Sequence, residues 1–472
     1  MSNISRYLGF QSLVFITLIL VTITSVYAQP KGSVCIIKSE SKLVMVDEIL
    51  TGKWSLPAGT ISEGERPELA AQREAWEETG LVVTVGKELG RNEKAIYYDC
   101  VSDSDLIAYS QQDKAGGHIL PIWFAPHYGI EVSQARLIEP LSLSPADYRY
   151  PEQWSFVNEL YNLATDQPTS YVENLIEAAP RFNQVELPWI AEFQASLQDL
   201  PSILAELIQS VLLTGLVFTS SWWLLLLSVC YAQFGRNFTL KLIFTLIFGA
   251  VIVQVGQLGF QLPRPYVYQP SLNLANQVGF SLPNLSVTLW TISLTMIINR
   301  LGFNGWNRVS MVSVAVLLWL VTSLFYSASA FLIDSFAGLL LGWLCAWHMS
   351  RLKIKIGQQS HELFNKMGVW ILLTCVSIVL LVLWQTPAML ELVLLCVCLL
   401  LIVLFIDLPS ELSLKDGVFL SAILALAMMI FAGLHSYVDS SNWHSLILTA
   451  SQLPVLLFIC AISLLMQKKR SS

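Results

Sequence analysis

Residues 54–81 read WSLPAGTISEGERPELAAQREAWEETGL, and the first part of the chain takes its fold from this run. Pro67 suits the first turn of a helix and Gly80 its end, which predicts a helix between them. Within it Glu74, Glu77 and Glu78 are spaced i, i+3, i+4, so all three carboxylates share one face. Carboxylates this close repel one another and add nothing to helix stability. A divalent cation with oxygen ligands makes the arrangement favourable. Read from the three glutamates alone, a solvated acidic helix face is the competing interpretation.

The spacing around them narrows the choice. Gly59, Glu65, Arg73, Glu74, Ala75, Glu77, Glu78, Gly80 and Leu81 follow the order Gly, five residues, Glu, seven residues, Arg-Glu-apolar-x-Glu-Glu-x-Gly-apolar. This resembles the box of the Nudix hydrolases, and the resemblance covers about residues 31–165. It implies an α/β fold, a mixed sheet sandwiched by helices, and hydrolysis of a diphosphate linkage with Mg2+ or Mn2+. It implies that Glu74, Glu77 and Glu78 are catalytic. Glu77 and Glu78 would be the main metal ligands, Glu74 a ligand or the base, and the Ala58 carbonyl a further ligand. Glu65 and Arg73 resemble the pair that orients loop and helix, with Gly59 and Gly80 as supporting positions. Such families often add an acidic ligand from a later loop. Asp113, in Gln-Gln-Asp-Lys-Ala-Gly-Gly, is the candidate, against its reading as a plain turn aspartate. Trp54, Tyr97, Tyr98 and Trp123 suit stacking on a base or packing a lipid, although such aromatics more often fill a core.

Outward from the box, composition divides the chain. Hydrophobic residues make up 54% of its 472 residues and charged residues 13%. Residues 1–206 hold 14 Lys/Arg against 27 Asp/Glu, and residues 207–472 hold 13 against 7. An acidic soluble part therefore precedes a weakly basic, apolar part. Nothing resembles a basic face for a nucleic-acid polymer. Cys35 and Cys100 are the cysteines of the acidic part, and no spacing suggests zinc. A bond between these two requires Cα atoms about 4.4–6.8 Å apart, which sequence alone does not establish.

Residues 1–28 read as a signal peptide or signal anchor: Arg6, an apolar run from Leu8 to Val26, then Val26-Tyr27-Ala28. Short β-rich runs are Ser33–Ile37, Leu43–Val46, Ala95–Val101, Asp105–Tyr109 and Ile119–Phe124. Residues 166–204 read as an amphipathic linker. From about Leu207 the chain is expected to form an all-α polytopic membrane bundle of nine spans. Basic residues fall in alternate loops, namely Arg236 and Lys241, Arg300 and Arg308, Arg351 to Lys366, Lys415, and Lys468 to Arg470. The opposite loops hold only Arg264. Positive residues mark the cytoplasmic side. The expectation is a multi-pass protein of a bacterial cytoplasmic membrane, with the N-terminal domain extracytoplasmic and the C-terminus cytoplasmic.

Residues 205–350 resemble the type 2 phosphatidic acid phosphatases, whose motifs are Lys-x6-Arg-Pro, Pro-Ser-Gly-His and Ser-Arg-x5-His-x3-Asp. Here Arg264, Pro265, Pro283, Ser323 and Asp334 are kept. Gln257, Asn284, Leu285, Ser286, Leu324 and Ala330 stand where the family has its other motif residues. Ala330 has no nucleophilic atom, so the resemblance implies a phosphatase-like domain whose covalent chemistry is lost. Arg264 and Asp334 are expected near each other, holding a phosphate group or pairing together. Residues 351–472 supply four further helices without a legible motif.

The expectation is a membrane-tethered, Mg-dependent hydrolase of a diphosphate linkage in a small molecule or lipid, nucleoside diphosphate derivatives included. Two alternatives stay open: a phosphate-ligand binding or regulatory membrane protein without turnover, and a nucleotide-cleaning enzyme facing the cytoplasm.

Overall fold

The computed structural model describes residues 32–112, 116–219, 223–275, 277–302, 305, 307–356, 363–435, 437 and 441–471. The signal segment and Asp113 lie outside the described residues. The N-terminal domain contains strands β1 (Gly32–Ile36), β2 (Lys38–Ser39), β3 (Lys42–Glu48), β4 (Trp54–Ser55) and β5 (Ala58–Thr60). Helix α1 (Pro67–Thr79) follows, then β6 (Val83–Arg91), β7 (Ala95–Ser102), β8 (Leu106–Tyr109), β9 (His118–Leu120) and β10 (Val132–Ile138). Helix α2 (Trp154–Leu163) closes the domain's far side.

One sheet runs β5-β1-β7-β6 and a second β11-β2-β3-β10-β9, where β11 is Asp166–Gln167. β1 pairs in parallel with β7 and antiparallel with β5, so the sheet is mixed. Alternation along β1 sends successive side chains to opposite faces. Cys35 and Ile37 join a cluster with Ala71 and Ala75 of α1. Val34 and Ile36 join another with Trp154, Val157 and Leu160 of α2. The sheet is thus sandwiched between helices.

The stretch read as a linker is more structured than its prolines suggest. β11 pairs with β2, and β12 (Thr169–Val172) pairs with β8. Helix α3 (Arg181–Gln198) then lies against the helical region. Backbone pairing to distant strands made this segment illegible from local composition.

Cys35 and Cys100 form a disulfide with Cα atoms 5.6 Å apart. It joins adjacent strands across a sequence separation of 65 residues. Cys35→Ala with Cys100→Ala is expected to destabilise the domain by roughly 2–4 kcal/mol. A melting curve matching the wild type would reject a stabilising role.

The C-terminal region is helical: α4 (Ser202–Thr214), α5 (Trp223–Phe260), α6 (Leu285–Leu301), α7 (Arg308–Tyr326), α8 (Leu332–Ile356), α9 (Met367–Leu383), α10 (Pro387–Phe405), α11 (Leu414–His435) and α12 (Asn442–Ser471). Among the described residues seven helices are long and apolar enough to cross a membrane, and α6 and α9 are shorter apolar helices. The expected span 207–232 is divided. Its first half lies in α4 and the short turn to Thr219, its second in the start of α5. Gly235, at φ 75°, breaks α5 into two arms. Leu224 and Leu227 of one arm cluster with Leu242 and Leu246 of the other, so the arms fold back as a hairpin. Gly338 and Gly342 of α8 let it approach α6 closely. A Cβ on Gly342 would lie 2.6 Å from the Thr288 carbonyl oxygen.

The two parts share one core. Val44, Tyr128 and Leu187 cluster with Tyr268, Phe280, Phe325 and Phe331. Tyr109 donates to the Val267 carbonyl at 2.6 Å, and Gln194 donates to the carbonyls of Leu272 and Tyr326 at 2.9 and 2.7 Å. Glu186 of α3 accepts from the backbone N–H groups of Leu332 and Ile333, capping α8. These contacts seat the N-terminal domain on one end of the helical region. Arg236, Lys241 and Arg300 line a cavity at the other end with Ser350 and Glu411.

Candidate active site

Helix α1 starts at Pro67 and stops at Gly80, which adopts φ 71° and donates its N–H to the Trp76 carbonyl at 2.8 Å. Only a residue tolerant of the left-handed region ends the helix this way. Between these limits Glu74 and Glu78 are 7% and 6% exposed, and Glu77 is half-buried.

Arg73 organises the face. Its Nε donates to Glu65 at 2.9 Å, and Nη2 to Glu65 and the Thr60 carbonyl at 3.1 Å each. Its Nη1 donates to Glu74 at 2.6 Å and to Glu77 at 2.8 Å. The Glu65–Arg73 pair therefore ties the loop before α1 to the helix. It also holds Glu65 well below the ordinary carboxylate range, at about 2. Glu78 accepts from the Ala58 N–H at 3.1 Å, which places strand β5 beside the carboxylates. Gly59 is fixed by space: a Cβ there would lie 2.0 Å from the Glu74 carboxylate.

His127 completes the group, and nothing in the box pointed to it. Its backbone N–H donates to the Glu77 carbonyl at 2.8 Å, pinning the loop to the last turn of α1. Its ring stands 4.0 Å from the Glu77 carboxylate and 3.3 Å from that of Glu131. Ligand atoms of Glu74, Glu77 and His127 all lie within 4.8 Å of one another. Glu48, held by Arg149 at 2.6 Å, lines the same cavity. Six carboxylates (Glu48, Glu65, Glu74, Glu77, Glu78, Glu131) thus face two guanidiniums, Arg73 and Arg149. The excess negative charge and the hard oxygen donors fit a divalent cation.

Burial pushes the Glu74 carboxyl up, opposed by Arg73, and pushes Glu78 well up, reinforced by Glu48 and Glu74. Glu131 raises His127. The sign follows from linkage. A raised carboxyl contributes stability fully present below its ordinary 4.5 and lost as pH rises through its folded value. His127 behaves likewise above its ordinary 6.5. The cation-free protein is therefore expected to melt at progressively lower temperature as pH climbs from 4.5 past 6.5. Added Mg2+ or Mn2+ should recover roughly 2–4 °C per kcal/mol of binding near neutral pH. Melting curves with chelator and with cation check this; coincident curves at neutral pH would dispose of the cation site.

Of the named aromatics, Tyr97 and Tyr98 are buried in the core, and Trp123 packs on Tyr268 with ring centroids 5.2 Å apart. Trp54 lies under the Arg136 guanidinium at 4.7 Å.

In the helical region Arg264 and Asp334 sit at the end nearest the N-terminal domain, without forming an ion pair among the described residues. The Arg264 guanidinium donates to the carbonyls of Val278, Phe280 and Ser329 and to the Gln277 side chain. Asp334 accepts from the Ser281 hydroxyl and the Phe331 N–H. Gln257 donates to the Pro283 carbonyl at 2.9 Å, and Asn284 caps α6. Direct pairing is replaced by carbonyl contacts, because the loop at 277–280 wraps the guanidinium. Those contacts also leave the expected phosphate grip without a free donor edge on that side.

Residues 27–160 match the NUDIX domain. An RNA pyrophosphohydrolase of Bartonella tribocorum is 28% identical over 171 residues, 36% of this chain and 87% of that protein. One of Bartonella quintana is 30% identical over 128 residues, 27% of this chain and 69% of that protein. The solved structure of a UDP-X diphosphatase is 17% identical, with a TM-score of 0.21, covering 35% of this chain and 85% of its own. With the box carboxylates Glu74, Glu77 and Glu78 gathered on α1 and the Bartonella quintana relative matched over most of its length, the chain belongs to the Nudix family as a pyrophosphohydrolase.

Proposed function

We propose that this chain is a membrane-tethered hydrolase that cleaves a diphosphate linkage with Mg2+, in a lipid-linked or nucleoside-linked compound. The carrying observation is the convergence of Glu74, Glu77 and His127 within 4.8 Å, beside Glu78, on a cavity of about 790 Å³. Glu74 and Glu77 with His127 would hold the cation, and the Ala58 carbonyl is the further ligand that the box implies. When bound, the cation would supply Lewis acidity toward the diphosphate and lower the pKa of a coordinated water. Arg73 keeps Glu74 and Glu77 oriented, and Glu78 anchors β5 through the Ala58 N–H.

Two observations support an extracytoplasmic N-terminal domain. It carries a disulfide, and disulfides persist in oxidising compartments. Arg236, Lys241 and Arg300 gather at the end of the helices away from it. The helical region, residues 205–350 above all, is read as a phosphatase-like membrane domain without a nucleophile. Ala330 is fully buried, and Arg264 is engaged by carbonyls. A nucleotide or RNA-end substrate, after the names of the relatives, is the competing reading. The acidic balance of residues 1–206 opposes a polyanionic polymer.

The test is a screen of the full chain in detergent, with Mg2+ or with chelator, against nucleotides, nucleotide sugars and lipid diphosphates. Chelator-sensitive phosphorus–oxygen cleavage of at least one class is expected. Binding without turnover across all three would replace the hydrolase by a phosphate-sensing protein.

A further inference from the structure

The catalytic cavity is not walled by the N-terminal domain alone. Its polar wall carries Glu74, Glu78, Glu48, His127 and the cations Lys94 and Arg149. Its opposite wall is built from the ends of the last helices, with Leu381 of α9, Pro387 and Leu390 of α10 and Leu446 of α12, and with Gln385, Thr386 and Asn442 beside them. α10 and α12 are among the helices long and apolar enough to cross a membrane. The same helix ends carry exposed apolar side chains. Val382 and Leu383, next to Leu381, are 70% and 65% exposed, and Ile447, next to Leu446, is 42% exposed. One cavity therefore joins an acidic, cation-binding wall to the apolar flank of a helical bundle.

A nucleoside diphosphate makes poor use of that far wall. A sugar and base gain from hydrogen-bond partners and flat aromatic faces, which Tyr148, Tyr150 and Gln153 offer on the N-terminal side of the cavity, whereas the far wall sets Leu381, Pro387, Leu390 and Leu446 beside Gln385, Thr386 and Asn442. A hydrocarbon chain gains from just such contact, and it loses nothing by leaving the cavity along an apolar flank. Resting on the hydrolase reading above, we infer that the substrate is a lipid diphosphate. Its headgroup lies at the carboxylates, and its chain runs over Leu381, Leu390 and Leu446 toward the surrounding membrane. In the reaction the oxygen of a water bonds to one phosphorus and the bridging phosphorus–oxygen bond breaks. The bridging electron pair stays with the departing phosphate, and the water proton passes to a carboxylate. The products are the lipid monophosphate and inorganic phosphate. Residues 351–472 thereby acquire a role: their Nudix-side ends complete the substrate pocket.

The full chain in nanodiscs with Mg2+ is assayed against farnesyl diphosphate, isopentenyl diphosphate and ADP. Farnesyl diphosphate is expected to exceed isopentenyl diphosphate in kcat/KM by at least about tenfold, since each buried methylene adds binding free energy. Leu390→Asn and, separately, Leu446→Asn are expected to pull that ratio toward one. Reading a ratio within each variant guards against folding defects, which depress both rates together. Equal kcat/KM for the long and short chains, a ratio unmoved by both substitutions, or turnover of ADP alone overturns the lipid assignment and leaves the hydrolase intact. Hydrolysis of none of the three overturns the lipid assignment, and the hydrolase reading is then decided by the nucleotide sugars of the screen above.

Discussion

Glu77→Gln is expected to lower turnover about a thousandfold while the protein still folds. The cation's stabilisation of developing charge is worth several kcal/mol, at about 1.4 kcal/mol per decade of rate. Glu77 is the right glutamate for the test because of its surroundings. Glu78 is buried with its carboxylate on the Ala58 N–H, so changing it disturbs the strand. Glu74 fills the space above Gly59, so changing it opens a hole. Glu77 is half-buried and keeps its shape as glutamine. Arg73 loses one ionic contact and retains Glu65 and Glu74. The melting temperature without cation should move little, and the cation-induced rise should shrink. A kcat within about threefold of wild type would remove Glu77 from the metal site.

The box made the helix, its caps and its acidic face legible, because each depends on residues close in sequence. Pro67 and Gly80 bound α1 where their chemistry demands. The Glu65–Arg73 pair spans eight residues and was equally readable. His127 was not, because its place depends on a loop pinned to the Glu77 carbonyl from across the domain. A lone histidine with no spaced partner carries no signal. The same holds for β10, whose partner β3 lies far along the chain. It holds most for the apolar wall of the cavity. Leu390 and Leu446 read as ordinary membrane-helix residues, and only the seating of one part on the other brings them opposite Glu74. Arg264 shows the converse. Its motif spacing was legible, but the carbonyls of residues 278, 280 and 329 that occupy it come from loop geometry.

Gly59→Ala and Gly64→Ala separate two reasons for glycine in the strand and loop before α1, and they should fail differently. Gly64 has φ 78° with nothing within 4 Å of an added Cβ. Alanine there pays only the strain of a left-handed backbone, roughly 1 kcal/mol. Its melting temperature should fall modestly and its kcat persist. Gly59 needs no unusual φ, and its Cβ would stand 2.0 Å from the Glu74 carboxylate. Something must shift, and the backbone resists, because Gly59 pairs with Ser33 in the sheet. The carboxylate must therefore leave the position that places it within 4.8 Å of Glu77 and His127. Misplacing a reacting group by about 1 Å costs on the order of a hundredfold. Gly59→Ala is thus expected to lose a hundredfold or more in kcat, together with weakened cation binding. If Gly59→Ala instead keeps full activity with a lowered melting temperature, Glu74 is not a ligand, and the cation rests on Glu77 and His127 without it.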